Sequence, residues 1–244
     1  ANSGPAYQRW NLIGNPYTSY IKLADFLAAN MSEFETQTAG VYGYDADDGD
    51  GSNWKIWNLS YSDANPNALI APGQGFFVSS KTGGGNITFT PSMRANGSSD
   101  DFIAGRTMTT ISHTGIKLSK NTDAFITDFY ITNNASLGLD VGYDAAHLGE
   151  VPSTFSIYSM LVEDNLGENM AVQAISYSDV SNNAIVPLGV NAAQGEQLTI
   201  SMVDSDVTSN VYLEDAQTNT FTLLNTNDYT FTPTSDLSGI GRFY

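Results

Sequence analysis

The chain has 244 residues, 41% hydrophobic and 14% charged, with no cysteine; that is apolar material for one or two folded domains, and it excludes a disulfide scaffold and a thiolate metal site while leaving the compartment open. Nine Lys and Arg against 26 Asp and Glu give a formal charge of −17, a field that repels polyanions and disfavours nucleic acid, anionic membrane surfaces and sulfated or uronate-rich polysaccharides as partners. No apolar run reaches transmembrane length, so no membrane insertion is expected, and with no signal peptide at Ala1 any export signal is taken as cleaved or omitted.

The first domain is expected over residues 1–100. It opens with a short strand, Trp10-Asn-Leu-Ile-Gly-Asn-Pro-Tyr17, halted by the Gly-Asn-Pro turn. Leu23, Phe26, Leu27, Met31 and Phe34 then recur at helical spacing behind Ser19 as N-cap, which predicts one helix over 20–34 with its apolar stripe packed on a sheet. Strands are expected at 40–44, 54–59, 75–80 and 86–90, separated by loops rich in Asp, Gly, Asn and Pro. Small and acidic residues interrupt the strand pattern at Ala95 to Arg106, where the linker is placed.

The second domain, 107–244, is almost all strand pattern. Its eight apolar runs lie at 116–118, 125–132, 155–162, 170–176, 196–203, 211–215, 220–224 and 229–232. With no helical crossovers between them, they predict an antiparallel β-sandwich, jelly-roll-like, and the chain as a whole reads as mainly β in two domains. The final stretch stops in mid-strand at Arg242-Phe243-Tyr244, which reads as a cut from a longer multidomain chain.

All three tryptophans, Trp10, Trp54 and Trp57, fall in the first domain, with Tyr42, Tyr44 and Tyr61 close in sequence. Sugar recognition needs flat aromatic faces against the C–H side of a pyranose and polar neighbours for its hydroxyls. Trp54 and Trp57 are three apart, so on a strand they face opposite sides of the sheet, and one can be core while the other is exposed. Trp10, among Leu12 and Ile13, reads as core; Trp54 reads equally well as core or as binding surface. The candidate glycan-binding set is therefore Trp54, Tyr44, Tyr61, Trp57 and Asn53, with Asn58, Asp63, Asn65 and Gln74 as further hydrogen-bonding groups that are also ordinary loop formers.

Between Tyr44 and Trp54 the acidic loop carries Asp45, Asp47, Asp48 and Asp50. Hard oxygen ligands on a Gly-containing loop suit Ca²⁺. The loop departs from the EF-hand pattern, because Gly49 and Asp50 stand in reversed order and Ile56 occupies the place of the bidentate Glu; a solvated hairpin tip is the competing reading. Asp140, Asp144 and His147, with Tyr143 beside them, form a second polar cluster that also reads as a turn network. Neither His113 nor His147 lies in HExxH, and there is no Gly-x-Ser-x-Gly elbow, phosphate loop or dinucleotide fingerprint, so the chain is not expected to be an enzyme. A glycoside hydrolase or lyase, needing only two suitably spaced carboxylates, is the lesser catalytic alternative.

Several stretches carry a resemblance: WNLIGNPYTSYI at 10–21, APGQGFFV at 71–78, LGLDVGYDA at 137–145, IVPLGVNAAQGEQLTI at 185–200 and the C-terminal 211–244. Together they resemble accessory and C-terminal modules of secreted Bacteroidetes proteins exported by the type IX secretion system, often attached to polysaccharide-degrading enzymes. The resemblance implies a secreted or cell-surface location and a polysaccharide partner, and transfers no binding residue. The expectation is a non-catalytic carbohydrate-binding module favouring a neutral glucan. A structural spacer between a catalytic domain and a surface-sorting domain is the alternative.

Overall fold

The computed structural model describes residues 9–44, 54–98, 111–149 and 154–244. It is 40% strand and 13% helix, so the class is mainly β. The chain divides into two compact units: the first takes described residues 9–44, 54–98, 111 and 141–149, the second 112–140 and 154–244. Most of the linker expected over 95–106 lies outside the described residues, while Ala95 belongs to a strand of the first unit.

The first unit runs β1 (Trp10–Gly14), β2 (Tyr20–Lys22), helix α1 (Leu23–Asn30), β3 (Val41–Tyr44), β4 (Trp54–Trp57), helix α2 (Leu59–Ala64), β5 (Leu69–Ile70), β6 (Gly75–Ser79) and β7 (Arg94–Ala95). Four strands form one sheet in the order β1-β6-β3-β4, and β5-β2-β7 form a small second one. The helix expected over 20–34 is shorter. Tyr20–Lys22 is a strand because Ile21 finds Ile70 on one side and Arg94 on the other, and that pairing outweighs the local helical period. Asn30 closes α1: its Nδ2 donates to the carbonyls of Phe26 (2.8 Å) and Thr88 (3.0 Å), and its Oδ1 accepts from Thr88 N (2.7 Å). Thr88 thus spends its backbone groups on a side chain, and the strand expected at 86–90 is absent. The buried stripe Leu23, Phe26, Leu27 packs as anticipated, with the Phe26 ring 5.4 Å from Phe76 of β6 and 5.2 Å from Phe89.

The remaining strands are β8 (Ser112–Lys120), β9 (Asp123–Ile131), β10 (Ala145–Ala146), which lies in the 141–149 stretch of the first unit, and, in the second unit, β11 (Phe155–Ser159), β12 (Met170–Ile175), β13 (Leu188–Ala192), β14 (Leu198–Val203), β15 (Tyr212–Asp215), β16 (Thr220–Leu223) and β17 (Tyr229–Phe231); helix α3 (Tyr177–Ser181) follows β12. The second unit's main path is β13-β11-β12-β9-β8-β14-β17. It is a curled, mixed half-barrel sheet and not a uniformly antiparallel, jelly-roll-like sandwich. The difference lies at β12 and β9, which pair in parallel from Val172↔Asp128 to Ile175↔Ile131; the long chain between them supplies the crossover a parallel pair requires. The final segment continues the curl, with Leu237 and Phe243 bridging to Ala192 and Leu188 of β13, and Phe243 also to Asp215 of β15. The core inside the curl joins Ile116, Leu118, Ile157, Val190, Ile200, Leu213 and Phe243.

Candidate functional site

Directly opposed residues in a sheet share a face, so the register of the first unit's main sheet sorts its aromatics. Leu12 opposes Phe77, Phe77 opposes Tyr42, and Tyr44 opposes Trp54; these five and Trp10 share one face, while Phe76, Val78, Val41 and Trp57 point to the α1 side. Among the described residues the common face is covered at one end only. Tyr42 is fully buried there, its hydroxyl donating to the Ala146 carbonyl at 2.7 Å and its ring 4.6 Å from Trp10, and burial pushes its phenol pKa up.

The other end stays open. Tyr44 is 54% exposed, Trp54 38% and Leu12 65%, and Phe77 is half-buried between them. Trp54 lies 5.3 Å from Tyr44 at 71° and 5.7 Å from Phe77 at 66°. The rings meet edge to face, which favours their quadrupoles and leaves a corner of aromatic surface instead of one flat plate. Leu12 and Phe77 were not foreseen as parts of it. The signal lay in the Phe76-Phe77 pair, since adjacent residues of a strand must face opposite ways.

Trp57 and Tyr61 do not belong to this surface. Both are buried, their rings stacked 5.0 Å apart at 7°. Trp57 follows from strand parity, being on the α1 side; Tyr61 is turned inward on α2, where burial raises its pKa. The polar candidates are likewise engaged in the fold. Asn58 is the N-cap of α2, accepting from Tyr61 N at 3.1 Å and donating to the Tyr143 carbonyl at 2.8 Å. Asp63 accepts the Tyr143 hydroxyl at 3.1 Å, and Gln74 closes its own turn through Ala71 N at 2.9 Å. Asn65 is buried, donating from Nδ2 to the Tyr61 carbonyl at 3.0 Å.

Asn53 and the acidic residues Asp45, Asp47, Asp48 and Asp50 lie outside the described residues. Among the described residues no group of three His, Cys, Asp or Glu is arranged to hold a metal ion, and no helix is long and apolar enough to cross a membrane. Of the second polar cluster, the Asp140 carboxylate accepts from the backbone N and hydroxyl of Ser136 and belongs to the second unit, while Asp144 and His147 belong to the first. His113 sets Nε2 2.8 Å from Asp128 and Nδ1 3.1 Å from the Asp204 carbonyl, so both ring nitrogens are occupied by acceptors.

The stretches that carry the family resemblance are used for folding. WNLIGNPY and APGQGFFV become β1 and β6, and the buried Asn15 side chain ties them by donating to the carbonyls of Ile70 (3.3 Å) and Ala71 (3.0 Å). In LGLDVGYDA, Gly142 has φ +83 and accepts at its carbonyl from Leu59 N at 2.7 Å; a Cβ there would lie 2.9 Å from the Met31 side chain. Only glycine fits both the dihedral and the gap.

Over residues 2–244 the chain matches a family described as Domain of unknown function (DUF8693). No curated protein and no solved structure matches it.

Proposed function

We propose that this chain, which belongs to the DUF8693 family, is a non-catalytic carbohydrate-binding module of a secreted or cell-surface bacterial protein, reading a neutral glucan with Tyr44, Trp54 and Phe77. The observation that carries the reading is the open aromatic corner on an otherwise covered sheet face. Large aromatics held in place by strand pairing and left in solvent offer stacking area at little entropic cost, and a pyranose laid on one ring meets the edge of the next. The charge of −17 favours a neutral polymer over a sulfated one. A shallow corner buries little of a flexible chain and must offset its ordering, so micromolar to millimolar affinity is expected.

Affinity electrophoresis of the whole chain through gels cast with neutral, uronate-rich and sulfated glycans tests the reading. Retardation by a neutral glucan supports it. Uniform free migration across the panel favours the structural spacer instead.

A further inference from the structure

The second unit holds a cavity of about 380 Å³, within the range of small-molecule sites. Its walls are mostly apolar, with Ile116 from β8, Phe129 and Ile131 from β9, Ile175 from β12 and Leu213 from β15. Ile185, Tyr212 and Phe221 line it while remaining exposed, and so mark its mouth.

The lining also carries the polar residues Thr114, Asn183, Ser209, Asn210 and Glu214, and Thr114 belongs to a distinctive row. Thr114 opposes Phe129, and Phe129 opposes Gln173, so the three form one row on one face of β8, β9 and β12. Thr114 and Gln173 are buried, and Thr114 Oγ1, Gln173 Oε1 and Gln173 Nε2 have no hydrogen-bond partner. Native proteins rarely leave such atoms unpaired. Thr114 itself lines the cavity, so its hydroxyl can meet a polar atom of an occupant. Glu214 is also in the lining, and its charge, with the chain's net negative field, disfavours an anion.

We propose that this cavity binds a neutral, largely apolar small molecule of two or three rings with one polar atom that hydrogen-bonds to Thr114. An apolar cavity of about 150 Å³ holds benzene, so the larger space here suits an occupant of two or three rings. The site is built from second-unit residues alone and does not depend on the glycan reading.

The probe is N-phenyl-1-naphthylamine, neutral, with two ring systems joined by one N–H, which brightens on leaving water. Titrated into the full chain, it should show a saturable rise at one site per chain, and naphthalene should displace it. Ala184→Trp, which places an indole in the lining, should weaken the probe at least tenfold. Thr114→Val should weaken the probe several-fold while leaving naphthalene, which has no polar atom, as tight or tighter. Displacement by naphthalene reads the site in the unaltered chain, should a variant fail to fold. A non-saturating signal, failure of naphthalene to compete, equal loss of both ligands in a folded Thr114→Val, or tighter binding of the anionic anilinonaphthalene sulfonate than of the neutral amine would overturn the proposal.

Discussion

Arg242 grips the buried carboxylate of Asp215 with two nitrogens, Nε at 3.0 Å from one oxygen and Nη2 at 2.7 Å from the other. The Tyr229 hydroxyl donates to the same group at 2.7 Å, and the guanidinium lies 4.8 Å from the ring centroids of both Phe231 and Phe243. This cluster fastens the final segment to β15, with Glu214 and Tyr244 exchanging backbone hydrogen bonds beside it at 2.9 and 3.1 Å.

Burial alone would raise the Asp215 carboxyl, but Arg242 and Tyr229 outweigh it and hold it at about 2. An unfolded Asp titrates near 3.9. The pair's contribution is therefore complete above about pH 4 and is lost as pH falls from there through about 2. Asp215→Asn leaves the half-buried Arg242 without its counter-charge and should cost up to about 3–5 kcal/mol at neutral pH. In urea melts followed by circular dichroism, the gap between parent and variant should narrow steadily below about pH 4. A gap that stays constant down to about pH 2 would contradict the assignment.

Gly142→Ala forces a side chain into the left-handed region and against Met31 and Leu59. Strain and overpacking each cost on the order of 1–3 kcal/mol, so the variant should lose about 2–6 kcal/mol. Tryptophan fluorescence follows this well, because all three indoles belong to the first unit. A variant as stable as its parent would mean that the 141–149 stretch yields freely at this point.

Much of the strand pattern was legible because alternation is local: β3, β6, β9, β12 and β15 lie close to where the apolar residues place them. What was hidden depends on partners distant in the chain. Tyr20–Lys22 keeps a helical period yet is a strand because Ile70 and Arg94 flank Ile21. No local signal placed 141–149 with the first unit, where Tyr143 accepts from Asn58 and Ser60 more than eighty residues away. β13 carries a weak local signal because Leu-Gly-Val-Asn-Ala includes a glycine; Gly189 is needed there since the Tyr158 ring fills the space a Cβ would take. At the site, parity separated Trp54 from Trp57, but which face stays open depends on what covers Tyr42.

Trp57→Ala separates core from surface. Trp57 is buried against Tyr61, so truncation should cost about 3–5 kcal/mol and, where the variant still folds, leave glycan retention unchanged. Lost retention in a folded Trp57→Ala would move the site to the α1 side of the sheet.

The most direct measurement of the central claim is calorimetric titration of the retained neutral glucan into the parent chain and into Trp54→Ala, Tyr44→Ala and the double variant, each confirmed as folded by circular dichroism. By analogy with base–aromatic stacking, each single change should remove roughly 1–3 kcal/mol of binding, and the double variant should bind too weakly to detect. Undiminished affinity in a folded double variant would show that the open corner of Tyr44, Trp54 and Phe77 is not the glycan site.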